Sequence, residues 1–444
     1  LLRRLSFALT GLPPDPALAE EFAADQGLQS YERLVDALLE SPHYGEHWAR
    51  HWMDVVHYAD THGYEWDVPA KHAWRYRDYL VRAFNADVPY DRLILEHLAG
   101  DLIEPRIDPS SGLNEALIGP FMLRLGERRH GDNAAAEGVT QEAVANMIDT
   151  IGKAFLGTTL ACAQCHDHKL DAVTQRDYYA LAGMLMSTRF SPRTLDAVDP
   201  NLQIIAELRQ IKAQIRAELA NLWLAATDPQ APDGVAERLR QIAPDETPPA
   251  PFPATLVEFW KRSRAAGITA EEFHAERQRR VEYNARHMTL LADFGREDGA
   301  AGWRWDGWGM KHGLVQDGEL VVADEGDAAV LHLLPAGRFS HVWSPRLGGL
   351  LQSPQFDSTS PATFSLELLA GKFAAYTFVI DRALHSERLQ FLQRPTLGWL
   401  TLSAGNFASL EGSIDRAPRR VYLELATKEL NNYFPPRVGY NGLP

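Results

Sequence analysis

Cys162-Ala163-Gln164-Cys165-His166 holds both cysteines of the 444-residue chain. Two thiols three positions apart, with a histidine directly after them, form the attachment signature of c-type haem. The thiols add across the porphyrin vinyl groups and the imidazole reaches the iron. The same residues also allow a local Cys162–Cys165 disulfide, or half of a metal site completed elsewhere. The flanks of the motif read as helices. Upstream, Val144, Ile148, Ile151 and Phe155 recur at helical steps, and Gly157 ends the run. Downstream, Thr174 and Asp177 make a capping box for a helix carrying Tyr178, Leu181 and Leu185. A motif held between two helices predicts a rigidly placed site in a mainly α-helical domain.

The residues before the motif continue the helical pattern. Asp15-Pro16 and Ser41-Pro42 each place a capping side chain before a proline at the first helical position. In the second of these helices Trp48, Trp52, Val55 and Ala59 form an expected core stripe. His43, His47, His51, Asp54 and His57 lie beside it at spacings that could converge on a cation, although histidines flanking a tryptophan face are more often packing residues. Tyr76, Leu80 and Phe84 share the face of the next helix, with the interleaved charges as its rim. Pro89-Tyr90-Asp91 opens a helix ending at Gly100-Asp101. Residues 105–140 are rich in Pro, Gly, Ser and Asn and read as a long loop, with Arg124, Arg128, Arg129 and His130 clustered in it.

Beyond residue 200 the pattern changes. Leu202, Ile205, Leu208, Ile211, Ile215 and Leu219 mark a long amphipathic helix, expected to pair with a helix over Phe273–Met288 across the Pro-rich linker 243–251. From about residue 291 the hydrophobic period becomes two. Asp317-Gly318 reads as a hairpin turn leading to Glu319–Val322. Phe364–Leu368 and Val421–Leu425 alternate apolar and polar residues, and further short strands are expected near 328–334, 373–380 and 397–402. The expected fold is a multidomain α+β chain. It has a helical domain with the CxxCH motif over 1–195, a helical hairpin spacer over 196–290, and a β-sandwich of jelly-roll or galactose-binding-like form over 291–434. Residues 435–444 read as a linker to a further C-terminal region.

Composition narrows the function classes. With 44 Lys+Arg against 59 Asp+Glu, a formal charge of −15, the chain is no general nucleic-acid binder and does not favour anionic lipid. No apolar run approaches the ~20 residues of a membrane span. Leu1–Leu9 is too short and wrongly followed to be a signal peptide. A c-type haem is attached outside the cytoplasm, so the motif implies an export signal on a longer precursor and a periplasmic or extracellular protein.

Several separated blocks resemble one family. They are Arg3-Arg4-Leu5 with Thr10–Pro14, Ser41–Glu46, Trp48–Trp52, Trp74–Tyr79, Ala99–Asp101, Phe155–Gly157, Cys162–Lys169 and Gln175–Tyr179. In this order, over about residues 1–190, they resemble the planctomycete cytochrome c domain family of unknown function. Gly398-Trp399 and Val421–Leu425 are similar to the sandwich that follows in such proteins. The resemblance implies an exported, envelope-associated protein with a cytochrome-like module before this domain and another domain after it. It also implies a setting among polysaccharide-degrading enzymes and sulfatases, with no reaction attached to the family. His51, Asp54, His166 and His168 match the family pattern. His47 stands in place of its usual Arg, and Ala172 in place of a Pro.

Two functional readings follow. In the first, Cys162, Cys165 and His166 hold haem c in an exported electron-transfer protein that works with a redox partner or an adjacent cytochrome module. Met184, Met186, Met147, His130 and His51 are then the candidates for the distal ligand, and a five-coordinate or bis-His iron is the alternative to Met ligation. In the second, the cysteines are structural and His51, Asp54 and His168 hold a divalent metal. Trp303, Trp305, Trp308 and Trp343 then offer a polysaccharide platform on the β-domain, in a binding or hydrolytic protein. Neither a nucleophile elbow nor a P-loop or dinucleotide fingerprint points to a third class.

Overall fold

Short capped helices build the first part of the chain. The computed structural model describes residues 1–24, 27, 29–65, 67–127, 138–226, 267, 269–311, 314–323, 330–344, 346–358, 363–380, 390–403 and 419–430. The linkers at 243–251 and 435–444, and Arg128, Arg129 and His130, lie outside them. The first helices are α1 (Leu2–Thr10), α2 (Pro16–Ala24), α3 (Ser30–Leu39), α4 (Pro42–Val55), α5 (Ala73–Asn85) and α6 (Tyr90–Ala99). Asp15 caps α2 as expected, its Oδ1 accepting from the Ala17 N–H at 2.8 Å and the Leu18 N–H at 3.2 Å. Ser41 caps α4 in the same way.

The buried face of α4 differs from the expected stripe. Trp48 is 38 % exposed and Ala59 is exposed, whereas Gly45, Ala49 and Val56 face inward with Trp52 on the border. The cause is the close approach of α5. A Cβ on Gly45 would stand 2.4 Å from the Val81 carbonyl oxygen and 2.6 Å from the Asn85 amide, so only a small residue fits there. Asn85 locks the approach by accepting from the Gly45 N–H and donating to the Pro42 carbonyl. The bulky Trp48 is left on the rim.

Residues 105–125 are not an open loop. Two short 3-10 turns, Glu115–Leu117 and Gly119–Arg124, bring Ile118, Met122 and Leu125 into the core beside Tyr76, Tyr79 and Leu80. The same segment carries Glu115 into the interior, where it and Glu96 of α6 are fully buried. Arg106 grips Glu96 through two bonds of 2.7 and 2.8 Å, Arg92 adds a third at 2.9 Å, and the Tyr79 hydroxyl donates a fourth at 2.9 Å. Arg82 of α5 holds Glu115 Oε1 through bonds of 3.1 and 2.7 Å. Burial pushes the Glu96 carboxyl up, but the Arg106 and Arg92 bonds outweigh it and hold it below its ordinary value. Burial dominates at Glu115, whose carboxyl is raised despite Arg82. The domain continues with α7 (Val139–Ile151), a π-helical turn (Gly152–Leu156), a 3-10 turn (Leu160–Gln164) and α8 (Gln175–Met186).

The chain divides between Val198 and Asp199. The second unit contains α9 (Leu202–Ala226), α10 (Ala270–His287) and strands β1 (Arg304–Asp306), β2 (Glu319–Val322), β3 (Val330–Leu334), β4 (Leu350–Gln352), β5 (Phe356–Ser358), β6 (Thr363–Ile380), β7 (Gln390–Ser403) and β8 (Arg419–Ala426). Both expected helices are present, but the inward contacts of α9 go to the β-domain. Its buried Lys212 pairs with Glu319 of β2, bonds the Val342 carbonyl at 3.2 Å and lies 4.4 Å from the centre of the Trp343 ring. The described side chains of α10 are exposed.

Among the described residues the strands form two antiparallel sheets. One has the order β1-β4-β8-β6-β7 with β5 also on β8, and the other is the β2–β3 ribbon. Two expected strands, Phe364–Leu368 and 373–380, are one continuous β6 whose register against β7 shifts around Ala370. Tyr376, Leu392, Leu402 and Leu423 fill one core of this unit; Val315, Val321, Leu334 and Val342 fill another. Asp317-Gly318 is a bulge-like turn within one side of the ribbon, because Val315 bridges Gly337 and Glu319 pairs with Leu334. It is therefore not a hairpin connection.

Removing one partner of a buried ion pair leaves the other charge uncompensated, at a cost of about 3–5 kcal/mol. Arg106→Leu leaves Glu96 with Arg92 and Tyr79 alone, so it is expected to lower the stability of the helical unit by about 2–3 kcal/mol in urea titration. A loss below about 1 kcal/mol would place this pair with exposed ones, in conflict with its burial.

Candidate functional site

The CxxCH motif lies on a turn anchored from inside and braced from the side. After α7 the π-helical turn runs to Gly157, whose φ of 60° reverses the chain direction. Leu160 and Ala163 then point into the core, and Cys162, Cys165 and His166 are left exposed. Both cysteines are free thiols. Cys162 Sγ lies 3.4 Å from Thr159 Oγ1. The Gln164 carbonyl accepts from Gln175 Nε2 at 3.0 Å and from the Tyr179 hydroxyl at 3.2 Å, tying the turn to α8. The expected capping box at the start of α8 is formed by Thr174 and Asp177.

The two histidines of this loop carry opposite tautomers. His166 Nδ1 lies 2.7 Å from the Asp167 carbonyl oxygen, which can only accept, so the proton sits on Nδ1 and Nε2 keeps its lone pair. That is the state an axial imidazole ligand needs. His168 is reversed. Its Nδ1 accepts from the Asp171 N–H at 2.8 Å and the Leu170 N–H at 3.3 Å, so Nε2 carries the proton and faces Thr159 Oγ1 at 3.3 Å. With a side chain only 7 % exposed, His168 is a loop-closing residue. Both of its ring nitrogens are already engaged.

The remaining candidates separate by location. Met147 is buried in the core on α7, whereas Met184, 67 % exposed, and Met186 lie on the outer side of α8. His51 and Asp54 are exposed on α4. Among the described residues, no three His, Cys, Asp or Glu side chains gather as a cation site, so His51, Asp54 and His168 are not brought together. Trp303, Trp305, Trp308 and Trp343 each meet a neighbour from the protein itself, whereas Trp399 on β7 is 61 % exposed. Arg338 lies 4.0 Å from the Trp305 ring centre, Lys311 lies 4.1 Å from that of Trp308, and Phe294 packs edge-on against Trp303 at 5.0 Å. These faces, like that of Trp343 under Lys212, are already used in packing.

A buried polar chain behind the site escaped the sequence reading. Tyr76 accepts from Trp52 Nε1 at 3.1 Å and donates to His97 Nε2 at 2.9 Å, while His97 Nδ1 donates to the Leu93 carbonyl at 2.7 Å. Phe155 of the π-helical turn packs against Trp52 and His97, and the Tyr90 hydroxyl bonds the Ala154 carbonyl at 2.7 Å. The helical core thus fixes the turn that leads into the motif. The available signal was Glu96-His97 standing inside the apolar run Leu93–Leu98: two ionisable groups among leucines mark a polar pair directed inward.

A family model described as PSCyt2, protein of unknown function (DUF1549), matches residues 1–190. Those residues hold the whole motif loop and all of α8. Comparison with curated proteins gave no match, and neither did comparison with solved structures. Among the described residues no helix is long and apolar enough to cross a membrane.

Burial pushes the His97 imidazole down to about 4, offset only in part by the Leu93 carbonyl and Glu96. The unfolded chain therefore takes up this proton first as pH falls. His97 is expected to withdraw stability between its ordinary value and about 4, by up to roughly 3 kcal/mol. His97→Gln should flatten the pH dependence of the melting temperature in that window. An unchanged slope would show that the acid sensitivity arises elsewhere. For the loop, His168→Ala is expected to speed amide exchange at Leu170 and Asp171 and to cost about 1 kcal/mol of global stability. Unaltered exchange at both amides would remove the bracing role.

Proposed function

We propose that the helical unit carries a c-type haem at Cys162, Cys165 and His166 and serves as an exported electron-transfer protein, working with a redox partner or an adjacent cytochrome module. The observation that carries this reading is the His166 imidazole, held by the Asp167 carbonyl with Nε2 left free beside two exposed thiols. The residues present fit the group: two accessible thiols for thioether bonds and one imidazole in the ligating tautomer. When bound, the haem iron supplies one-electron redox chemistry.

The chain's own residues then have distinct tasks. Cys162 and Cys165 supply the covalent attachment, and His166 the proximal nitrogen. His168, Thr159 and Asp171 hold the loop shut beneath them. Gln175 and Tyr179 keep the turn on α8. Leu156, Leu170 and Tyr179, all largely exposed, offer apolar surface around the motif of the kind a porphyrin edge covers. Burial in the core withdraws Met147 as a distal ligand, which leaves Met184 and Met186 as the methionines of the helix that holds the loop. Attachment of this group takes place outside the cytoplasm, so the reading carries a periplasmic or extracellular location with it. The link to polysaccharide metabolism rests on the family resemblance.

Production with an export signal in a host that matures c-type cytochromes tests the proposal. The purified protein is expected to be coloured, with a c-type pyridine haemochrome spectrum and haem retained after denaturation. Cys162→Ala and Cys165→Ala should lose the covalent link, and His166→Ala should alter the axial-ligand bands. A colourless protein from such a host would overturn the reading.

A further inference from the structure

On α4 a second pair of imidazoles converges. His47 and His51 stand one helical turn apart, with their Nε2 atoms 3.4 Å from each other and their rings nearly perpendicular at 83°. The two ring nitrogens are within reach of a long hydrogen bond, beyond the ~3.2 Å at which N–H···O bonds usually end. Their separation also matches another geometry. Two metal–nitrogen bonds of about 2.1 Å meeting at a tetrahedral angle span about 3.4 Å. We propose that His47 and His51 bind a divalent transition-metal ion through their Nε2 atoms, with water or an external donor in the remaining positions.

The surroundings hold the pair in place. The Trp48 ring packs against both imidazoles, at 5.9 Å from His47 and 5.6 Å from His51. The turn after α1 closes on the far side of His47, where even a Cβ on Gly11 would stand 2.5 Å from Nδ1. Neighbouring histidines are committed elsewhere: His43 bonds Glu46 at 2.7 Å, and His57 bonds Asn146 at 2.7 Å. Partial burial, with the charges of His51 and Arg50 beside it, holds the His47 imidazole below its ordinary value and so favours the neutral, ligating form. His51 is exposed and His47 partly so, which leaves the site open to solvent. An all-imidazole site with open positions suits Cu(II), Ni(II) and Zn(II), with Cu(II) the tightest.

The test uses the full chain carrying Cys162→Ser and Cys165→Ser, so that the thiols do not compete. Calorimetric titration with copper(II) chloride should give one site per chain. His47→Gln or His51→Gln should weaken it by roughly tenfold or more, and His43→Gln should leave it unchanged. Electron paramagnetic resonance of the copper complex should show coupling to two nitrogens in the parent and a lower count in either variant. His51 is exposed, so its replacement keeps the test open if the His47 variant fails to fold. Affinity and nitrogen coupling unchanged by both His47→Gln and His51→Gln would overturn the proposal, as would an absence of copper binding.

Discussion

Two carboxylates without access to water, Glu96 and Glu115, decide how the helical unit closes. Removing an ionised carboxylate from water costs several kcal/mol unless charge and hydrogen bonds replace its hydration. The replacements come from three places in the chain: Arg82 on α5, Arg92 on α6 and Arg106 at the head of the 3-10 segment. Glu96 is bonded at both oxygens, whereas Glu115 is held at Oε1 and its Oε2 is buried without a hydrogen-bond partner. Their pH signatures oppose one another. The lowered Glu96 contributes stability above its unfolded value, and that contribution is lost as pH falls through its depressed folded value. Glu115, raised by burial, contributes below its unfolded value and loses that contribution as pH rises through the raised one.

From this cluster the constraint passes outward through neutral bonds. Glu96 fixes Tyr79, and the next residue, His97, fixes Tyr76 and, through it, Trp52. Phe155 seats on Trp52 and His97, which sets the π-helical turn and hence the start of the motif loop. The loop that carries two thiols and an imidazole rests on such a base, whereas loops without internal anchors are the mobile parts of a fold. Here Leu160 and Ala163 are the internal anchors, and α8 is the lateral one.

The sequence is legible where chemistry stays local. The caps at Asp15, Ser41 and Thr174, the helix through Ile148 and the α+β division all rest on neighbours within one turn or one strand. Structure departs from the local pattern where a distant element decides. The stripe on α4 was displaced because Val81 and Asn85 of α5 demand small residues at its inner face. Residues 105–125 read as an open loop because their prolines and glycines mask buried residues that only Arg82 and Tyr79 explain. Two strands merged into β6 because pairing with β8 runs on from Ala375 to Ile380 after β7 has lost register near Ala370. Cross-strand partners such as buried Gln352 and Glu424, bonded at 2.7 Å, have no trace in a one-dimensional pattern.

The motif itself shows the same limit at the scale of one side chain. His166 and His168 are equivalent in a string of letters. What distinguishes them is the partner of Nδ1. A carbonyl acceptor forces the proton onto Nδ1 and leaves Nε2 as a ligand, whereas backbone N–H donors force the reverse. The first histidine can therefore serve a metal centre while the second closes the loop around it. At His47 and His51 the Nε2 atoms stand 3.4 Å apart, a long hydrogen bond whose spacing is also that of two imidazoles on one cation. Roles for histidine in this chain follow from what each nitrogen already does: a short bond to the backbone commits it, and a free or weakly bonded Nε2 leaves chemistry available.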